Sequence, residues 1–380
     1  MGLLRKAIAY FFILIIFGGC APSVIKLESF KDESPLAQYG KTSNRNFYFD
    51  ETITSSFKEK WEAEINGGFA NSSVVVYDSA VFVNDLSGRI YSFSIKNGKT
   101  LGQLKYKGAI SSTPIIHNTT LIFVVSEINE NSSTLYYYDF NSGREIASVE
   151  IEGRYLSEML KLSDGIVLIS ETGQALKYDF FGKNIWRNSS KQYVHSSPAS
   201  DGNFIVYGND VGEITSLNSK DGSLIYRKKI GNTFSAGAVI SNNMIFIGDD
   251  EGIFYSIDIK SGDVNWEIHT GSKIKMEAVT NGDEIIVANL KGYLLKLTRD
   301  GKQIWKREIS GLLNITPALT KNFLVLPDAN KKIYFVSCDD GEIVDSIILD
   351  GRVKLNPVIK NNLLFIGYEN GNLTAYELAK

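Results

Sequence analysis

Gly252-Ile253-Phe254-Tyr255-Ser256-Ile257-Asp258-Ile259-Lys260-Ser261-Gly262-Asp263-Val264-Asn265-Trp266 is the stretch that decides the fold. A glycine turn opens it, an alternating strand follows, and a Ser-Gly turn reverses the chain. A Trp stands four residues beyond the second glycine. The same unit recurs along the chain. Its hairpin glycines are Gly98, Gly143, Gly182, Gly222, Gly262, Gly301 and Gly341, spaced 39 or 40 residues apart after a first step of 45. A second series runs about ten residues ahead, at Gly88, Gly173, Gly212, Gly252, Gly292 and Gly371. Trp186, Trp266 and Trp305 hold the aromatic position, with Tyr226 in one repeat. Several repeats open on a short motif ending in Pro: Ser112-Thr113-Pro114, Ser196-Ser197-Pro198, Ile315-Thr316-Pro317 and Leu355-Asn356-Pro357.

Four short strands in about 40 residues, joined by glycine turns, describe one blade of a β-propeller. A lone blade cannot bury both faces, so blades must pack radially. The C-terminal repeat stops after its alternating strand, at Gly371 to Leu378. Its missing Trp strand is found at the other end, in Lys60-Trp61-Glu62-Ala63-Glu64-Ile65. The expectation is therefore an all-β fold over 57–380: an eight-bladed propeller of four-stranded antiparallel blades, the last closed by N- and C-terminal strands. Two repeats diverge. The second carries a polar insertion from Glu127 to Ser133, and the seventh has Asn330-Lys331-Lys332 where glycine is expected.

The N-terminus reads as an address. Arg5 and Lys6 precede an apolar run from Ala7 to Phe17, followed by Phe17-Gly18-Gly19-Cys20. The run has the length of a signal-peptide core rather than of a membrane span. Small residues before a Cys resemble the lipobox of bacterial lipoproteins, although Phe17 stands where that pattern prefers Leu. The resemblance implies a signal peptide over 1–19 and lipidation of Cys20. Ala21 follows, and the absence of Asp there favours the outer membrane. Residues 20–56 are polar and aperiodic, and read as a flexible tether.

Other groups carry less chemistry. The formal net charge of −3 gives no basic footprint for nucleic acid. Cys338 stands alone at a strand end, where a small buried side chain is expected. The histidines His117, His195 and His269 fall at unrelated repeat positions and form no metal or triad pattern. Asp139, Asn218 and Asp258 precede hairpins and are read as Asx-turn residues. Asp249-Asp250-Glu251 and Asp339-Asp340 are expected to face solvent at turns. The turn glycines and the Trp residues are assigned to geometry and blade packing, not to a ligand.

The repeat resembles the PQQ-like (quinoprotein-type) propeller unit. With the lipobox and eight blades, the whole chain resembles the BamB-type lipoproteins of the outer-membrane β-barrel assembly machinery. That resemblance implies a non-catalytic scaffold binding the BamA-like barrel-forming subunit, and unfolded outer-membrane proteins as further partners. The family's contact loop, a Leu-x-Leu-Arg stretch, corresponds to Ser190 through His195, which lacks both the leucines and the Arg. The loop Gly231-Asn232-Thr233-Phe234 lacks the family's acidic residues. Gln192, Tyr193, His195 and Phe234 are the candidate partner surface, with plain packing as the alternative. No cofactor is expected. Two other functions stand beside this one. A ligand or glycan in the central channel needs convergent polar groups there. A PQQ-dependent dehydrogenase resembles the repeat, but has a vicinal Cys pair that this sequence lacks.

Overall fold

The computed structural model describes residues 24–28, 32, 35–127 and 129–378; the leader over 1–19 and Cys20 lie outside the described residues. The described residues form eight four-stranded antiparallel sheets and no helix. Blade 1 spans 75–105, blade 2 115–152, blade 3 160–189 and blade 4 199–229. Blade 5 spans 239–269, blade 6 279–308 and blade 7 318–348. Blade 8 joins 358–378 to Phe57–Glu64, with Trp61 opposite Ala375. The ring is closed by its two ends, as the sequence predicts.

In each blade the first strand lies innermost and the fourth is the outer edge. Hairpins between strands one and two, and between three and four, share one face of the ring. Turns between strands two and three, and the connectors between blades, share the other. The middle strands are buried on both sides: Ile205 to Gly208 and Ile245 to Gly248 are fully covered. The outer strands are mostly exposed, as in Leu224–Lys229.

The hairpin glycines do two things. Gly222 has φ +70°, a left-handed conformation disfavoured for other residues. A Cβ added there would also lie 2.5 Å from the ring of Trp186 in the preceding blade. Trp186 Nε1 donates to Ser219 O, 3.2 Å away in that next blade. The relation repeats around the ring. Trp61 rests on Gly98, Tyr226 on Gly262, Trp266 on Gly301 and Trp305 on Gly341. Each donates to a backbone carbonyl two or three residues before its glycine: Ile95, Ile259, Arg299 and Cys338. One aromatic side chain thus both buries apolar area and satisfies a carbonyl across each blade boundary.

Three boundaries depart from this rule. Between blades 2 and 3, Ala147 and Val149 cover Gly182, and Tyr137 Oη donates to Asp179 O at 3.0 Å. Between blades 7 and 8, Asp345 replaces the aromatic. Strands three and four of blade 8 come from opposite ends of the chain, so no hairpin glycine awaits it. Between blades 1 and 2, Gly102 stands in the aromatic position and Val24 to Leu27 fill the gap. Val24 and Lys26 cover Gly143, Leu27 N donates to Phe140 O at 2.8 Å, and Tyr138 Oη donates to Ile25 O at 3.0 Å. A backbone amide does the work of the missing indole N–H.

The expectation of a flexible tether over 20–56 fails for most of that segment. Leu36, Ala37, Tyr39, Phe47, Phe49 and Ile53 are buried. The chain enters from the hairpin face, where Asp32 accepts from Asp78 N, and then circles inside the channel. Leu36 bridges Val76 of blade 1, and Ala37 O accepts from Ile116 N of blade 2. Gln38 Oε1 accepts from Lys161 N of blade 3. Ser43, Asn44 and Asn46 carbonyls accept from Ser200, Ile240 and Thr280 of blades 4, 5 and 6. Phe47 and Phe49 pair with Leu319 of blade 7, and Glu51 Oε2 accepts from Asn362 N of blade 8. A segment with so many burying side chains and backbone partners is part of the fold, not a spacer.

One sequence expectation holds at the turns. Asp258 accepts from Lys260 N and Ser261 N, and Asn218 from Lys220 N, as Asx turns. Lys331 takes the left-handed conformation, φ 64°, where glycine is missing. Asp249 is a correction: it is fully buried, not solvent-facing. Its Oδ1 accepts from Glu251 N and Ile253 N, and its Oδ2 from Tyr255 Oη and Asn232 N. The turn amides it caps explain the burial, since a carboxylate tolerates the interior when its lone pairs are filled.

Candidate functional site

Two places are built well enough to carry function: the central channel and the connector face. The channel's connector end is ringed by one residue from the same position of each repeat, the residue before Pro in the four repeats that carry the Pro motif. Those residues are Ser73, Thr113, Glu158, Ser197, Gly237, Glu277, Thr316 and Asn356. Neighbours bond around the ring. Thr113 N and Oγ1 donate to Glu158 at 2.8 and 3.0 Å, Glu158 N to Ser197 Oγ, and Glu277 N to Thr316 Oγ1. The two glutamates are buried.

The circling segment points two side chains down onto this ring. Tyr39 Oη donates to Glu277 Oε2 at 3.0 Å and accepts from Asn356 Nδ2 at 2.8 Å. Arg45 is fully buried and donates to three carbonyls: Tyr39, Met159 and Pro198. Its positive charge sits among Glu158 and Glu277. Burial pushes the Glu158 carboxyl up to about 8, against the opposing pull of Arg45 and of the Thr113 hydrogen bonds. Burial and Glu277 hold the Tyr39 phenol well above its usual range. A cavity beside Leu36, Gln38, Lys41, Phe47 and Asn356 is about 10 Å³, room for roughly one water. The channel is filled by the chain itself.

On the connector face, the loop 190–195 leads from blade 3 into blade 4. Tyr193 is 59% exposed, Gln192 half-buried and His195 exposed. Asp210 N donates to Tyr193 O, and Val194 N to Glu171 O, which fixes the loop on two blades. His195 Nδ1 lies 2.9 Å from Asp210, and its Nε2 3.5 Å from Glu171, which Arg154 approaches at 3.8 Å. The hydrogen bond to Asp210 raises the imidazole above its ordinary value. Charges recur further round the same face, where Lys275, in the connector from blade 5 into blade 6, pairs with Asp250 at 2.9 Å. Gln192 and Tyr193 border an open groove of about 300 Å³ with Thr172, Ser189 and Lys191.

Phe234 does not belong to this surface. It is 0% exposed, and its ring lies against Gly208, whose absent Cβ would sit 2.4 Å from the Phe234 Cβ. The repeat contains the signal. Val194, Phe234 and Ile274 stand 40 residues apart and are all buried, so this position belongs to the core. The structure brings Gln192, Tyr193 and His195 together and leaves Phe234 beneath them. Among the described residues, no group of three or more His, Cys, Asp or Glu is placed to hold a metal ion.

A family model described as outer membrane protein assembly factor BamB matches residues 172–289 and 270–380, more than half of the chain. The chain belongs to the BamB family. Among solved structures it is similar to BamB from Moraxella catarrhalis, with 15% identity over 85% of this chain and 100% of that one, and a TM-score of 0.71. It is also similar to a europium-containing methanol dehydrogenase, with 10% identity, 89% and 90% coverage and a TM-score of 0.73. A quinohemoprotein alcohol dehydrogenase from Pseudomonas putida gives 11% identity, 95% and 84% coverage and a TM-score of 0.73. No curated protein matches at the level of sequence. At such identities the solved structures share the fold alone.

The dehydrogenase neighbours raise a question about a quinone. A planar cofactor on the axis needs an open cavity lined by free polar groups. In this BamB-family chain Tyr39 and Arg45 occupy the axis, and both ring glutamates already have partners. The residues present do not fit the group.

Proposed function

We propose that this BamB-family chain is a non-catalytic scaffold lipoprotein of outer-membrane β-barrel assembly. In this account Cys20 is acylated, the anchor lies in the outer membrane and the propeller stands in the periplasm. The connector face around Gln192, Tyr193 and His195 binds the barrel-forming assembly subunit. Exposed aromatic and charged groups on a rigid ring suit a docking surface that selects by charge complementarity. Unfolded outer-membrane proteins are second clients, pairing with the outer edge strands. The edge Ile343–Ile348 of blade 7 suits that role, since Ile343, Val344 and Ile348 are exposed along it.

The family match across the repeats is the observation that carries the proposal. The filled channel supports it further, because binding is then left to the outer surfaces. Affinity capture of the tagged lipoprotein from detergent-extracted membranes of its own host, read by mass spectrometry, tests it. An outer-membrane barrel protein with periplasmic repeats is expected to co-purify with the wild type and to be depleted with Tyr193→Asp. Its absence from the wild-type sample, under conditions that retain other membrane complexes, contradicts the proposal.

A further inference from the structure

Val24 to Leu27 are locked between blades 1 and 2 on the hairpin face, and Cys20 lies four residues upstream. Four residues reach at most about 14 Å. If Cys20 carries the acyl chains, as the proposed function holds and on which this inference rests, the anchor is not a long leash. It attaches beside one sector of the ring and sets which side of the disc meets the bilayer.

One hairpin tip of that sector differs from the rest. The tip of blade 3 presents Phe181, 81% exposed. Corresponding tips elsewhere are polar: Lys220-Asp221 in blade 4, Lys260-Ser261 in blade 5 and Asp339-Asp340 in blade 7. Ile146 and Ile185, just inside the tips of blades 2 and 3, are exposed, as are Ile225, Ile304 and Val344 at the same repeat position in blades 4, 6 and 7; the exposed Val24 adds an apolar side chain to this sector alone. The sector's exposed cations are Lys26, Lys96, Lys99, Arg144 and Lys183. Its exposed acids are Glu28, Glu145 and Asp164, fewer than its exposed cations, with Asp32, Asp78, Asp139 and Asp179 half-buried in the same sector. The adjoining tips are in register: Val24 covers Gly143, and Val149 and Ala147 cover Gly182 beside Phe181.

We propose that the hairpin-face rim of blades 1 to 3 rests on the lipid surface, with Phe181 entering the headgroup region and the neighbouring Lys and Arg side chains meeting anionic lipid. An aromatic flanked by cations is the composition that lies at a bilayer interface. The acidic tip of blade 7 is repelled by the same surface, so the disc tilts. The connector face with Tyr193 and His195 then points away from the membrane.

Site-directed fluorescence on the mature, full-length lipoprotein tests this. The protein is placed in vesicles of phosphatidylethanolamine and phosphatidylglycerol carrying a nitroxide-labelled lipid. An environment-sensitive probe is attached at Phe181→Cys or, as reference, at Asp340→Cys. The probe at 181 is expected to shift to the blue and lose most of its intensity to the nitroxide, while the probe at 340 does neither. Equal quenching at both positions, or no quenching at 181, overturns the proposal when the N-terminal peptide is acylated by mass. A blue shift without quenching means that protein covers Phe181, and also overturns it. An unacylated Cys20 overturns the lipoprotein account itself, and this inference with it.

Discussion

Gly102 lies directly against Ile25: a Cβ added at Gly102 would come within 2.9 Å of the Ile25 Cα and 2.3 Å of the Val24 carbonyl oxygen. The smallest residue in the repeat thus stands where the largest is expected, and the chain's own N-terminal segment takes the space. Gly102→Leu is expected to expel that segment and to destabilise the fold by about 1–3 kcal/mol, the usual range for overpacking. Limited proteolysis reads the release as new cleavage between residues 24 and 28, where the wild type resists.

The aromatic-on-glycine boundary makes a sharper prediction. Trp186→Ala is expected to cost about 3–5 kcal/mol through lost area and cavity. Gly222→Ala removes no contact, yet is expected to destabilise by about 1–3 kcal/mol, because the methyl meets the Trp186 ring. The double variant should be less unstable than the sum of the two, since each relieves the other. Denaturant unfolding of the four proteins measures the coupling.

Arg45 pins the circling segment to the channel. Arg45→Met leaves three carbonyls without donors and two buried glutamates without their cation, and is expected to cost about 3–5 kcal/mol. A pH dependence accompanies it. The Glu158 carboxyl is held at about 8 in the folded protein, against an ordinary value of 4.5. Folding therefore favours the protonated form. That contribution to stability is complete below the unfolded value and is lost as pH rises from about 4.5 through 8. Glu158→Gln should flatten the midpoint of thermal unfolding across this window.

On the connector face, exposure separates binding from folding. Tyr193→Ala is expected to leave thermal stability within about 0.5 kcal/mol of wild type and to weaken partner capture. Phe234→Ala is expected to destabilise by about 3–5 kcal/mol, with partner binding of the folded fraction little changed.

Cys338 is buried, and burial pushes its thiol up to about 12. A thiol reagent should label it slowly in the folded protein and rapidly in denaturant, because only the thiolate reacts. Fast native labelling would contradict the packing of blade 7.

The propeller was legible because its rules repeat. Glycines, aromatics and Pro motifs at a 40-residue period describe a blade without any alignment, and the split repeat at Trp61 announces the ring closure. The buried cap at Asp249 carries a signal of its own in the sequence. It lies three residues before its turn glycine, as do Asp85, Asn209 and Asn289 before theirs. Phe234 could have been placed in the core from Val194 and Ile274. The segment 35–53 carried no such signal. It touches each of eight blades with one or a few residues, so no period of two or 3.6 arises, and its polar residues mimic a linker. Its buried Tyr39 and Arg45 find partners more than a hundred residues away in sequence.

The scaffold role is tested most directly by mixing the purified mature chain with the purified barrel-forming assembly subunit of the same host and measuring binding. The account predicts saturable binding that Tyr193→Asp and His195→Asp weaken at least about tenfold, or 1.4 kcal/mol each, while both variants remain folded. Absence of binding by the wild type, or binding indifferent to both substitutions, would contradict it.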